Sequence, residues 1–325
     1  MSMTLVAIVS LGFFSCSSDD DDNQGGGTSL ETPKYESVSA LYEVTGNSGI
    51  DVKTIELTAS GDYIITRNPY SASAAPRMGK CVDKKKGLFR KALAMRAYYE
   101  YSWIISGKYE KIDSATFDLK EWGQIKITGS SDNAMSIEVT PVGSSSSYTV
   151  PVAKKEQHPN SSLTNKICRT WSIRSYRLAI SLGGRQIYNK EYKMTELSKF
   201  NEDMKKLQQQ YGFDDDEDDD YYDDDEDFFI FDRLPEKVIF TKSGTYMVMY
   251  SQEELAISTW RWKNESKGLL HYAWNYYDDE YAAGDATISF RGNQLAITES
   301  FGDDDYDDDE EECTFIGTYY CDEVK

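Results

Sequence analysis

Carboxylates are the most abundant reactive groups in this chain, and their clustering suggests calcium chemistry. Two runs stand out: 214–227 holds 12 acids and 303–312 holds nine. Carboxylate oxygens are hard donors, and Ca²⁺ takes about six to eight oxygens at once. The candidate ligands are Asp214, Asp216, Asp218, Asp220, Asp303, Asp305 and Asp307. The longer run lacks the glycine and the terminal glutamate spacing of an EF-hand, and Tyr221 and Tyr222 interrupt it. A nearly pure acidic run offers many interchangeable weak donors. The pattern therefore points to solvated loops that hold Ca²⁺ loosely, in the millimolar class, and not to one built site.

Other chemistries lack their parts. Only His158 and His271 are present, and no Cys-x-x-Cys occurs, so zinc and most histidine-based triads have no support. There is no Gly-x-Ser-x-Gly, His-Glu-x-x-His, phosphate loop or Gly-x-Gly-x-x-Gly. A glycosidase needs two placed carboxylates, but 56 acids single out no pair. Trp260 and Trp262 share one strand face by their spacing and offer a stacking surface for sugars, but core packing is the favoured role for most of the tryptophans. The expectation is a protein that is not an enzyme.

The elements that must carry these residues are mostly strands. Tyr, Ile, Val and Thr dominate many short segments, a composition suited to pleated, half-buried surfaces. The net charge of −21 is local: the two runs and Asp19–Asp22 hold 25 of the 56 acids, against 35 Lys and Arg in the whole chain. The folded body is close to neutral with acidic appendages. Nucleic acid is an unsuitable partner, because the runs repel phosphate.

One pattern occurs twice. Ile55–Ile65 (Ile-Glu-Leu-Thr-Ala-Ser-Gly-Asp-Tyr-Ile-Ile) aligns with Val238–Val248 (Val-Ile-Phe-Thr-Lys-Ser-Gly-Thr-Tyr-Met-Val). Each reads as a hairpin whose glycine supplies a positive φ. Ser102-Trp103 and Thr259-Trp260 then open the next strand of each half. Ile125–Gly129 and Ile288–Gly292 follow, each continuing into a further strand. Three matches in order predict two β domains of common design. The first half carries about 26 extra residues, including the basic, helix-prone stretch 84–99, read as a loop insertion. Met194–Tyr211 reads as a helix, capped by Thr195, with Leu197, Phe200, Met204 and Leu207 facing a sheet. The polar stretch 157–165, containing Pro159, separates the halves.

At the N-terminus, Thr4–Phe14 is apolar but too short to span a bilayer, and Ser15-Cys16 follows it. A short apolar segment ending in a small residue before cysteine is a signal-peptide pattern. It resembles a bacterial lipoprotein signal, although no Lys or Arg precedes the apolar stretch and Phe13-Phe14 departs from the usual lipobox. The resemblance implies removal of residues 1–15, acylation of Cys16 and stable anchoring in a lipid bilayer. Ser17-Ser18-Asp19-Asp20-Asp21-Asp22 is similar to the stretch that follows the lipidated cysteine in surface-exposed lipoproteins of the Bacteroidetes. That implies an outer-membrane location facing the cell exterior. Residues 16–29 then form an acidic, Gly-rich tether.

The second half, 166–325, resembles the lipocalin-like (calycin-type) domains common in those lipoproteins. Thr170-Trp171 opens its first strand, Thr241–Tyr246 makes a hairpin and Phe290–Ile297 makes another. The resemblance implies a mainly β fold: two consecutive antiparallel lipocalin-like barrels, over 30–156 and 166–325, with a helical insertion in the first and a short helix in the second. Such a barrel either holds one small apolar ligand or fills its interior with side chains. Closure would make the first and last strands antiparallel neighbours and suggests a Cys168–Cys321 disulfide; the four cysteines besides Cys16 allow three complete pairings. Two functions stay open. One is a surface lipoprotein binding a small apolar or amphipathic ligand without catalysis. The other is an interaction lipoprotein with solid barrels whose acidic loops bind Ca²⁺ or a partner.

Overall fold

A computed structural model describes residues 30–46, 51–67, 104–129, 131, 134–211, 235–251, 255–273, 283–302 and 313–324. The first barrel is an antiparallel meander of β1 (Ala40–Val44), β2 (Thr54–Leu57), β3 (Asp62–Thr66), β4 (Ile104–Lys111), β5 (Thr116–Leu119), β6 (Gly123–Gly129), β7 (Met135–Pro141) and β8 (Tyr148–Lys154). It closes where β8 pairs with β1, from Tyr42↔Lys154 to Val44↔Val152. Closure leaves no strand edge to template aggregation.

The second barrel repeats this order with β9 (Thr170–Leu182), β11 (Pro235–Phe240), β12 (Thr245–Tyr250), β13 (Leu255–Asn264), β14 (Leu269–Ala273), β15 (Ala283–Arg291), β16 (Gln294–Gly302) and β17 (Cys313–Glu323). It closes along β9–β17, from Trp171↔Glu323 to Leu182↔Cys313. The extra strand β10 (Arg185–Lys193) pairs with β9 outside the ring. The two predicted barrels are therefore present; Ile55–Ile65 and Val238–Val248 occupy the second and third strands of their rings. Ile125–Gly129 lies in the sixth strand of the first and Ile288–Gly292 at the end of the sixth strand of the second, while Ser102-Trp103 lies outside the described residues. Thr259-Trp260 lies in the middle of β13 and does not open it.

Two helices complete the described chain. α1 (Ser162–Ile167) begins at Ser161, whose hydroxyl accepts from the Thr164 amide, so the end of the expected linker is helical. α2 (Leu197–Tyr211) buries Phe200, Met204 and Leu207. A 3₁₀ turn over Met194–Glu196 precedes it, so Thr195 sits inside that turn and is not a cap.

Side chains fill both interiors. Ile55, Leu119, Ile125, Ile137, Val139 and Val150 meet in the first barrel, all fully buried. Trp171, Ile180, Val238, Val248, Leu295 and Tyr319 do so in the second. Most strands alternate buried and exposed, as β6 does. β2 and β3 break this rule and are buried on both faces. The cause is the other barrel: Ile64 and Ile104 pack with Ile239, Met247 and Leu255 of β11, β12 and β13. Burying such a side chain is worth roughly 1.5–3 kcal/mol, so this seam couples the barrels strongly.

Candidate functional site

The seam brings the two repeated hairpins together. Their turns share a construction: Thr58 Oγ1 accepts from the Asp62 amide at 2.9 Å, and Thr241 Oγ1 from the Thr245 amide at 3.0 Å. Gly61 and Gly244 hold φ of +82° and +85°, a conformation that costs other residues energy. A Cβ on Gly244 would also lie 3.2 Å from the Trp260 carbonyl oxygen and 3.3 Å from His158 Nε2.

Polar groups cross the seam in matched pairs. Lys242, 8% exposed, donates to Glu36 Oε1 at 2.6 Å and to Asn160 Oδ1 at 2.8 Å. The Thr170 hydroxyl donates to Asp62 Oδ2 at 2.7 Å, and its amide donates to Ser60 Oγ at 3.0 Å. Arg169 pairs with Glu323 and donates to the Glu31 carbonyl at 3.1 Å. Glu56 lies among them, on the outer face of β2, and is 2% exposed. Burial pushes its carboxyl pKa up; the Thr245, Thr241 and Ser243 hydroxyls and the charge of Lys155 oppose that only partly. Its Oε1 has no hydrogen-bond partner among the described residues.

A second buried carboxyl lies inside the second barrel. Leu295, Ile297 and Glu299 take successive inward positions on β16, so Glu299 stands where the pattern calls for an apolar residue. Tyr272 donates its hydroxyl to Glu299, and Tyr246, Tyr176 and Tyr319 are close enough for its charge to raise their own pKa values. Burial pushes the Glu299 pKa up to about 7, against the Tyr272 hydrogen bond that lowers it. Glycines make room for the phenols: a Cβ on Gly317 would lie 2.6 Å from the Tyr176 hydroxyl, and one on Gly284 2.5 Å from that of Tyr272.

Concavities lie on the surface. One of about 200 Å³ at the mouth of the first barrel is floored by Tyr42, Phe117 and Ile127, with Ser37, Ser114 and Lys154 around it. Another, of about 480 Å³, is lined by Arg291, Asn293, Gln294, Asp322 and Glu323.

Several residues singled out in the sequence lie outside the described residues: Cys16, Cys81, the stretch 84–99 and the candidate ligands Asp214, Asp216, Asp218, Asp220, Asp303, Asp305 and Asp307. The strand ends flanking the two acidic runs are described. Pro235 of β11, Gly302 of β16 and Cys313 of β17 belong to one rim of the second barrel, opposite Thr170 and the Thr241–Gly244 turn. Among the described residues no three His, Cys, Asp or Glu are grouped to hold a metal.

The expected Cys168–Cys321 disulfide is not formed. Cys168 and Cys321 are free, buried thiols, and Cys313 is buried as well. The first and last strands do pair antiparallel, but Cys321 faces Ile173, five residues beyond Cys168. At about 3.3 Å per residue that offset far exceeds the roughly 7 Å limit for a disulfide. Burial also pushes the Cys168 and Cys321 thiol pKa values up, which keeps them protonated and inert.

The tryptophans of the described residues serve packing. Trp171 is fully buried, with its indole N–H on the Ile167 carbonyl at 2.9 Å. Trp260 donates to the Thr241 carbonyl at 3.0 Å and packs against the His158 ring, tilted by 39°. Trp262 donates to Thr164 Oγ1 at 2.9 Å, which holds α1 to the barrel wall. His271 Nδ1 pairs with Asp285 Oδ1 at 2.8 Å on the outer wall, beside Lys263.

Glu56 and Glu299 were not singled out in the sequence. Glu299 had a signal, an acid in the apolar phase of a strand. Glu56 had none, because it occupies an outward position that the second barrel alone covers.

No family model matches the chain, and neither a curated protein nor a solved structure does.

Proposed function

We propose that this chain is a non-enzymatic lipoprotein, anchored in the outer membrane through acylated Cys16, whose two solid barrels dock on each other as its scaffold. In this reading it works through its outer surface, and the two acidic runs engage Ca²⁺ or a partner. The observation that carries the proposal is the packing of both interiors with large side chains, which occupy the space a small apolar ligand would need. The strand ends that flank the two acidic runs share one rim of the second barrel, which supports the cation part, because neighbouring runs of like charge would repel until a cation is bound.

Native mass spectrometry of the purified protein tests the scaffold reading. The expected result is polypeptide plus acyl groups alone; a co-purifying apolar molecule would restore the ligand-carrier reading. Calorimetry tests the cation part, with Ca²⁺ uptake expected at millimolar concentration and no heat as the refuting result. Palmitate labelling that survives Cys16→Ala would remove the anchor.

A further inference from the structure

A buried carboxyl at a junction between two bodies couples their contact to its protonation. Glu56 meets that description on geometry. Its neighbours on β2, Ile55 and Leu57, point into the first barrel, so Glu56 points out, toward the apposed β11–β12 hairpin. Separation of the barrels would return it to water. Contact removes it from water and leaves Oε1 without a donor among the described residues. An ionised carboxylate so placed is costly, whereas the neutral acid brings an O–H of its own that the surrounding hydroxyls can accept.

The other charges at the seam are committed elsewhere. From the apposed turn, Lys242 is held by Glu36 and Asn160. Ahead of β9, Arg169 is held by Glu323. At the start of β3, Asp62 is held by Lys108 and by the Thr170 hydroxyl. His158 of the connector packs in a tilted contact against Trp260, and Cys168 is a buried neutral thiol. Lys155, just past β8, attracts the Glu56 carboxylate, and that attraction is outweighed by burial.

We propose that Glu56 is a proton-operated latch between the two barrels, closed while the carboxyl is protonated and loosened when it ionises. The rise in its pKa on burial sets the sign: the closed seam binds the proton more tightly than the open one, so closure is favoured at low pH and weakens as pH rises through the closed-state value. A carboxyl whose pKa rises by one on closing changes the opening equilibrium about tenfold. The latch is independent of the anchoring and cation readings.

Hydrogen exchange of the full chain reads the latch at the Thr170 amide, which one barrel donates to Ser60 of the other. After correction for chemical exchange, its protection should fall about tenfold or more between about pH 4 and about pH 8, while β6 and β7 inside the first barrel keep theirs. Small-angle scattering should show the molecule lengthen over the same range. Glu56→Gln cannot ionise, so its Thr170 protection should stay flat. Ser243→Ala removes one hydroxyl that favours the carboxylate, and should deepen the pH dependence. Equal pH dependence in wild type and Glu56→Gln overturns the proposal. If Glu56→Gln does not fold, a Ser243→Ala profile identical to wild type overturns it.

Discussion

Replacing Glu299 with glutamine should stabilise the second barrel at neutral and alkaline pH and leave it nearly unchanged in acid. Glu299 is 3% exposed, and its carboxyl is moved from 4.5 in the unfolded chain to about 7 in the folded one. A raised carboxyl pKa gives stability that is whole below about 4.5 and lost as pH climbs through about 7. The loss amounts to about 3 kcal/mol once pH exceeds both values. Glutamine is neutral throughout, nearly isosteric, and still accepts from the Tyr272 hydroxyl. Urea melts of both proteins should be compared at intervals from about pH 4 to about pH 8.5. Every other titrating group contributes equally to both, so their difference isolates residue 299. The difference should be near zero at the acid end and about 3 kcal/mol in favour of Glu299→Gln at the alkaline end. A difference that stays constant with pH, or favours wild type as pH rises, would refute the reasoning.

The seam and the thiols carry three further tests. Lys242→Ala should cost about 2 kcal/mol, below the full value for a buried pair because Glu36 is partly exposed, and should split one calorimetric unfolding transition into two. Gly244→Ala, at φ +85° with the Trp260 carbonyl and His158 close by, should cost about 1–2 kcal/mol in a chemical melt, whereas Gly184→Ala, at φ +74° with open space around it, should cost less. Native protein should resist alkylation at Cys168, Cys313 and Cys321; denatured without reductant, all three should label, and failure of Cys168 and Cys321 to do so would revive their disulfide.

Much of the architecture was legible in the chain. The alternation of apolar residues in Ile125–Gly129, the Ser-Gly turns and their recurrence after 183 positions specify strands, hairpins and a duplicated design. The α2 stripe was legible for the same reason, since Phe200, Met204 and Leu207 recur at helical spacing. The disulfide was misjudged because antiparallel pairing depends on register as well as on neighbourhood, and register is a property of the whole ring.

Sequence by itself determined the strands, the duplicated β design and the confinement of charge to a few runs, because those follow from local periodicity and composition. Tertiary structure alone decided which outward residues would be covered. Glu56 and Ile64 lie on the outer face of the first barrel, the face that ordinarily meets water, and only the docking of β11, β12 and β13 removes them from it. Burial depends on what the rest of the molecule lays over a residue, and no window of neighbouring residues contains that information.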